Sequence, residues 1–397
     1  MLHMIQEAPP DPILGLTEAF NKDARAHKIN LSIGVFQDTL GHTPLLQCVR
    51  DAEARLIKRM AGRAYLPIAG LPGYGEAVRT LLFGPETVAD QGCILCVQTP
   101  GGTGALRIAA ELIRTQFPAA RLWMSDPTWP NHPKIFAAAG VACLTYPYHP
   151  DEHGRLQLEP LLSALSASRP GDAVLLHACA HNPSGMDPLP EQWRALAAVL
   201  RERQLLPVID MAYQGFARGL EEDRGGLDIL AAACPELLVA SSFSKNFSLY
   251  SERIGALVLR AGDAGTAGKA FSRVKAIVRT IYSNPPAHGA LIVTTILEDA
   301  ALRATWLQEL EGMRRQLVSM RSLLAEGLNK RGLTLLAEVL GRQQGMFSYA
   351  GFTDEQVRRL REDHAVYMVK GGRLNVAGLS PERIDAVCDA IVATQPA

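Results

Sequence analysis

The chain has 397 residues, 48% hydrophobic and 20% charged, with 40 Lys+Arg set against 40 Asp+Glu. A neutral chain of this length buries a large core and divides most naturally into two domains, or one large domain with a smaller companion. It carries no basic stripe for nucleic acid and no cationic face for an anionic membrane, so neither is expected as a partner.

The N-terminus, Met1-Leu-His-Met-Ile-Gln-Glu-Ala-Pro-Pro, has no basic stretch leading into an apolar one, so no secretory signal is expected. No run of eighteen apolar residues occurs. Seven cysteines, an odd number set mostly in apolar runs, read as free buried thiols of a cytoplasmic protein. Cys93-Ile-Leu-Cys96 has redox or zinc spacing, but no second pair or His cluster accompanies it, and no metal site is expected. Asp11-Pro-Ile-Leu-Gly-Leu16 closes a Pro-rich arm too short to form a core alone; such an arm docks on something, a partner subunit being one choice. Asn30-Leu-Ser-Ile-Gly-Val-Phe36 predicts a short strand ending near Gly34. A glycine there serves either a close backbone approach to a ligand or a tight turn.

From about residue 45 to 295 the pattern alternates. Ala105 to Phe117 predicts an amphipathic helix, Arg121 to Ser125 a strand, Ala173 to Ala178 a strand, Glu191 to Arg203 a helix, and Leu205 to Asp210 a strand. This spacing predicts an α/β sheet with helices on both faces, binding ligands at the carboxyl ends of its strands. After Asp299 the residues Leu302, Trp306, Leu310, Met313, Leu317, Met320, Leu324 and Leu328 recur at steps of three and four, the stripe of one long helix. Short strands and helices follow, predicting a smaller α+β domain that the early strand near Ile33 joins.

The polar turns between the predicted strands carry the chemistry. Ser242-Phe-Ser-Lys-Asn-Phe-Ser-Leu-Tyr-Ser-Glu-Arg-Ile-Gly255 lies between two apolar runs, so Lys245 sits in a turn between core strands. A solvated loop has the same composition. A desolvated lysine with a lowered pKa also belongs in such a turn, and Ser242, Ser244 and Arg253 supply hydroxyls and a cation for a phosphate beside it. A reactive lysine beside a phosphate grip is what pyridoxal phosphate requires. Pro100-Gly-Gly-Thr-Gly104 opens a helix and offers free backbone N–H groups to an anion, although many such turns bind nothing. In Asp126-Pro-Thr-Trp-Pro-Asn-His132, Trp129 is either a surface anchor or a platform for a flat ring. Asn182, in an Asn-Pro turn, can donate to a ring hydroxyl. Asp210 ends an apolar strand, where a carboxylate is costly unless it meets a cation, and Tyr213 follows three residues later.

This ordered set resembles the fold-type I pyridoxal-phosphate enzymes. More narrowly, the chain resembles the class I aspartate and aromatic-amino-acid aminotransferases along nearly its whole length, with wording closer to the bacterial aromatic branch. Tyr213-Gln-Gly-Phe216, Ser244-Lys-Asn-Phe247, Ser283-Asn-Pro-Pro-Ala-His-Gly289 and Gly345-Met-Phe-Ser348 carry the likeness. The resemblance implies an arm at 1–16 docking on a partner subunit and residues 17–44 joined to the small domain. It further implies a cofactor-binding domain at 45–298, with a mostly parallel seven-stranded sheet flanked by helices, and a small C-terminal domain at 299–397.

Residue by residue, the resemblance makes Lys245 the Schiff-base lysine and proton shuttle, Asp210 the partner of the pyridine nitrogen with His132 behind it, and Trp129 the stacking platform. Tyr213 and Asn182 would bond the ring oxygen. Gly101, Gly102, Thr103, Ser242, Ser244 and Arg253 would hold the phosphate, with Tyr65 reaching in from the second subunit of a homodimer. Arg373 would clamp the substrate α-carboxylate, with Gly34 closing over it and Trp129 and Asn182 beside it, and Arg279 of the other subunit would bind a distal carboxylate. The activity implied is ping-pong transfer of an amino group from tyrosine, phenylalanine or aspartate to 2-oxoglutarate. The alternatives are a strict aspartate aminotransferase, or a lyase or decarboxylase on the same scaffold. Phe36, Ser184 and Ser248 depart from the family's usual Tyr, Thr and Gly.

Overall fold

The computed structural model describes residues 1–7, 14–59, 62, 64–85 and 92–395. Helix α1 (Leu14–Lys22), strand β1 (Ile29–Asn30) and helices α2 (Gln47–Arg59) and α3 (Tyr74–Phe83) precede the alternation that the sequence predicts. That alternation runs β2 (Ile94–Pro100), α4 (Gly101–Gln116), β3 (Arg121–Asp126), α5 (Asn131–Ala138), β4 (Ala142–Pro147), α6 (Leu158–Ser166), β5 (Ala173–His177) and α7 (Pro190–Glu202). It continues through β6 (Leu206–Met211), α8 (Gly225–Ala233), β7 (Leu237–Ser242) and β8 (Ile254–Arg260). The remainder comprises α9 (Ala264–Ile281), α10 (His288–Glu298), α11 (Ala300–Lys330), α12 (Thr334–Arg342), β9 (Phe347–Tyr349), α13 (Asp354–His364), β10 (Val366–Tyr367), β11 (Arg373–Asn375) and α14 (Pro381–Ala393).

Strands β2 to β8 form one seven-stranded sheet in the order β2-β8-β7-β6-β5-β3-β4. Only β8 runs against its neighbours, β2 and β7; the remaining pairs are parallel. The other six strands therefore end at one edge, where β8 begins. β7 is buried along its whole length and β8 in all but its last residue, which is why both read as unbroken apolar runs. Alternate residues feed opposite cores: Val208 and Leu257 pack on the α4 and α9 side, Ile209 and Val258 on the α7 and α8 side.

All eight stripe residues from Leu302 to Leu328 are buried along α11. The helix starts at Asp299, whose carboxylate accepts from Ala301 N at 3.1 Å and Leu302 N at 2.9 Å, an N-cap that satisfies two otherwise free donors. β9 and β11 pair antiparallel beside α11. β1 pairs parallel with β10, so the early strand does join the C-terminal elements.

Two boundaries differ from expectation. The strand predicted over Asn30 to Phe36 is only Ile29–Asn30, because Asn30 Oδ1 takes the Ser32 N–H at 3.0 Å and breaks the ladder. The helix expected from Ala105 begins at Gly101, with Pro100 as its N-cap. Residues 8–13, which include Asp11-Pro-Ile13 of the predicted arm, lie outside the described residues. Among the described residues, no helix is long and apolar enough to cross a membrane.

Candidate active site

The carboxyl ends of β2, β5, β6 and β7 open into a cavity of about 230 Å³. Gly34, Gly102, Thr103, Trp129, Asn182, Asp210, Tyr213, Ser242, Ser244, Lys245, Arg253 and Arg373 line it, so twelve residues scattered from 34 to 373 in the sequence meet in one place. Gly101 stands directly behind, and a Cβ on it would meet Arg253 Nη2 at 2.6 Å.

Asp210, next to last in β6, stands in register with His177 of β5. His132 Nε2 lies 2.9 Å from Asp210 Oδ2, and His132 Nδ1 lies 2.8 Å from Thr128 Oγ1. Burial would raise the Asp210 pKa, but the hydrogen bond and charge of His132, with His177 and Lys245, hold the carboxyl below its ordinary range. Asp210 is therefore an anion at the cavity wall, able to pair with a cationic ring nitrogen. The Trp129 and His132 rings meet at right angles, centroids 5.1 Å apart, and Trp129 lines the cavity.

Lys245 occupies the turn from β7 to β8, its Nζ 4.8 Å from the Tyr213 ring centroid. Burial lowers its pKa, Arg253 adds to that, and Asp210 opposes it. The amine thus loses its proton more readily than a surface lysine and gains nucleophilicity. Burial first, then Asp210, pushes the Tyr213 phenol up, so it keeps its hydrogen and can donate it. Asn182 Nδ2 lies 3.5 Å from Tyr213 Oη, and Asn182 Oδ1 is buried without a partner among the described residues.

The phosphate seat fits its expected occupant. The N-terminus of α4 points its free N–H groups into the cavity wall beside Ser242, Ser244 and Arg253. Ser242 Oγ and Ser244 Oγ lie 3.2 Å apart, and Arg253 Nη1 reaches Ser244 Oγ at 3.4 Å. A Cβ on Gly255 would meet both Gly101 C and Ser241 O at 2.6 Å, so only glycine lets β8 approach this turn.

Arg373, at the start of β11, stacks on Phe347 with its Cζ 4.4 Å from the ring centroid. Its Nη2 donates to Ser32 O at 2.6 Å, while Nε is buried without a partner among the described residues, a donor left for an anion. Burial lowers its pKa only to about 10, so it stays cationic. A Cβ on Gly34 would meet no atom of the described residues within 4 Å.

Tyr65 and Arg279 do not line the cavity of their own chain. Tyr65 is 92% exposed, and Arg279, exposed at the end of α9, donates to Ser283 Oγ. Sequence reasoning assigned no role to six residues that also line the cavity: Leu106, His177, Cys179, Ala212, Tyr250 and Phe347. His177 carried a signal, as a polar residue closing an apolar strand, the same signal that exposed Asp210. Among the described residues, His132, His177 and Asp210 form a group whose ligand atoms lie within 4.8 Å of one another. Their hydrogen bonds to each other, to Thr128 and to Asn182 N already use most of those atoms.

Ser184 Oγ lies 2.8 Å from His181 Nδ1, and Phe36 is buried against Phe216. Ser248 adopts φ 53°, where glycine is the ordinary choice, and its hydroxyl donates to Pro44 O at 2.5 Å.

Residues 26–391 match the family model described as Aminotransferase class I and II. The chain is 49% identical over 394 residues to an aspartate aminotransferase of Salmonella typhi, covering 99% of this chain and 100% of that one. It is 44% identical over 395 residues to a tyrosine aminotransferase of Klebsiella pneumoniae, again covering 99% and 100%. Among solved structures, an aromatic-amino-acid aminotransferase from Burkholderia pseudomallei, covalently bound to pyridoxal phosphate, superposes with a TM-score of 0.96. It shares 43% identity, with 99% of each chain covered.

Proposed function

The chain belongs to the class I and II aminotransferases, and from that premise we propose how its residues divide the work and what they act on. The enzyme is a pyridoxal-phosphate-dependent aminotransferase of the aspartate and aromatic group. We propose that it serves both donor classes and passes the amino group to 2-oxoglutarate by a ping-pong mechanism. The observation that carries this reading is the meeting of Lys245, the Asp210–His132 pair and the half-free guanidinium of Arg373 in one cavity. Relatives named for aspartate and for tyrosine, each aligned along the whole chain, support the dual choice of donor.

The cofactor, when bound, supplies an electron sink that stabilises negative charge at the substrate α-carbon. Asp210 holds a proton on the ring nitrogen by offering it an anion, and His132 fixes that carboxylate in place. Lys245 would hold the cofactor through its amine, and its lowered pKa suits that amine to moving a proton at the substrate α-carbon. Tyr213 and Asn182 would donate to the ring oxygen, Trp129 would serve as the ring's platform, and the α4 N-terminus with Ser242, Ser244 and Arg253 would hold the phosphate. Arg373 receives the α-carboxylate on Nε and a terminal nitrogen, and stacking on Phe347 keeps its fork aligned.

The exposure of Tyr65 and Arg279 supports a homodimer in which each reaches the partner's cavity, Tyr65 to the phosphate and Arg279 to a distal carboxylate. The exposed apolar side chains of Leu2, Met4 and Ile5 suit an arm that docks on that partner. The pairing of β1 with β10 supports residues 17–44 moving with 299–397 as the small domain against 45–298. Seven unpaired cysteines suit a reducing compartment such as the cytoplasm.

The test is single-turnover loss of the cofactor's visible band with aspartate, glutamate, phenylalanine and tyrosine, on wild type and Arg279→Leu. All four should react with wild type, and the substitution should slow the dicarboxylates alone by about 100-fold or more. Reaction with only the dicarboxylates would narrow the enzyme to a strict aspartate aminotransferase. Absence of any visible band with added cofactor would remove the reading altogether.

A further inference from the structure

The segment from Ser32 to Gln37 carries Gly34 to the cavity without belonging to any strand. Its backbone is held instead by side chains. Arg373 Nη2 donates to Ser32 O, Asn375 Nδ2 to Val35 O at 2.7 Å and Gln316 Nε2 to Gln37 O at 2.8 Å, all from C-terminal elements. On the other side, Phe36 N donates to Tyr250 Oη at 2.8 Å. Among the described residues, this is the one hydrogen bond joining Ser32–Gln37 to the turn that carries Lys245.

Tyr250 also lines the cavity. Its oxygen spends a lone pair on Phe36 N–H, and its own hydrogen has no protein acceptor among the described residues. Burial pushes this phenol far above its usual range, against the pull of the Phe36 bond, so the hydrogen is retained at any working pH.

Building on the aminotransferase reading, we propose that Tyr250 is a positioning residue for substrate, its hydroxyl fixing Phe36 and hence Gly34 where the segment and Arg373 together receive the α-carboxylate. Two links make the effect specific to ligand. The segment has no ladder of its own, so removing one fastening lets Gly34 drift by more than a sheet residue would. A ligand oxygen that accepts from the Tyr250 O–H polarises the hydroxyl and strengthens its grip on Phe36, because chained hydrogen bonds reinforce one another. Filling the cavity and seating the segment therefore favour each other.

Tyr250→Phe removes the oxygen and keeps the ring, a volume-conserving change that the fold tolerates. On holoenzyme, four quantities are read beside wild type. These are the dissociation constant of maleate, a dicarboxylate that cannot react; KM and kcat for aspartate; bound cofactor per subunit; and Tm. The expected result is a rise of about 5- to 30-fold in maleate dissociation constant and KM together, with the loss falling on KM rather than kcat, cofactor content as in wild type, and a fall in Tm no larger than the lost Phe36 hydrogen bond explains. An unchanged maleate dissociation constant overturns the proposal, as does a loss confined to kcat. A fall in cofactor content also overturns it, assigning Tyr250 to the cofactor instead. The two readings fail separately, because a wild type that turns over no amino acid sinks the aminotransferase reading yet still gives the maleate comparison.

Discussion

His132 Nε2 stands 2.9 Å from Asp210 Oδ2, and that single contact fixes the state of both groups. A carboxylate only accepts, so the imidazole donates through Nε2, and its Nδ1 is tied at 2.8 Å to Thr128 Oγ1. The anion is thereby oriented into the cavity. Asp210→Asn removes the charge opposite the ring nitrogen and should lower kcat by about 1000-fold, since it breaks a buried ion pair. His132→Asn removes only the orienting bond and should cost about 10-fold. Steady-state kinetics of both variants, saturated with cofactor, check the order; equal losses would contradict it.

Lys245 predicts a pH effect on the cofactor-free protein. Its folded pKa lies below its unfolded value, so the unfolded chain binds more protons between the two, and stability rises with pH through that window. Apo Lys245→Met should therefore melt above apo wild type at pH 7, and the gap should close as pH approaches 10. Melting curves at pH 7, 8.5 and 10 measure it. A gap that widens with pH would reverse the assigned sign.

His177 governs the acid side. Burial first, with help from His132 and against Asp210, lowers its pKa to about 3 from an unfolded value near 6.5. Its contribution is full above pH 6.5 and is lost as pH falls toward 3, by on the order of 5 kcal/mol over the whole range. Asp187 works the other way. Burial raises it to about 6, so its contribution is present at low pH and lost as pH rises through 6, but its shift is the smaller one. His177→Asn, which keeps an acceptor for Asn182 N, should lose Tm less steeply than wild type between pH 6.5 and 4.5. Parallel curves would mean that His177 does not titrate on unfolding.

Ser248 separates strain from bonding. Ser248→Ala loses the bond to Pro44 O yet keeps a Cβ at φ 53°, and should destabilise by about 1 kcal/mol. Ser248→Gly loses the same bond but relieves the backbone, and should melt above the alanine variant by the equivalent of about 1 kcal/mol. The reverse order of Tm would mean that the left-handed conformation carries no strain.

Gly255→Ala places a methyl group against backbone atoms on two sides, Gly101 C and Ser241 O, neither of which can swing away. A cost of about 3 kcal/mol or more is expected, together with weakened cofactor retention, because the displaced Gly101 opens α4. Equilibrium dialysis against cofactor and a melting curve check both effects.

Much of this site is legible in one dimension because its residues sit where strands end. Asp210 betrays itself as a carboxylate closing an apolar strand, and Lys245 as a cation between two such strands. The register of β5 and β6 puts His177 opposite Asp210, but no local pattern says which strands are neighbours, so the relation is invisible before folding. The strand at Asn30 was overdrawn for a related reason: alternation continues to Phe36, while the hydrogen bonds go to the side chains of Asn30, Asn375 and Tyr250.

By itself the sequence determined the α/β alternation, the long α11 stripe and the residue types of the site, because hydrophobic periodicity and turn chemistry act between near neighbours. Only the tertiary structure decided that residues from Gly34 to Arg373 share one cavity, that β8 alone runs backward, and that Tyr250 fastens Phe36. Those facts depend on strand order and on contacts between groups more than 200 positions apart, which burial of the whole core selects and no local window of sequence encodes.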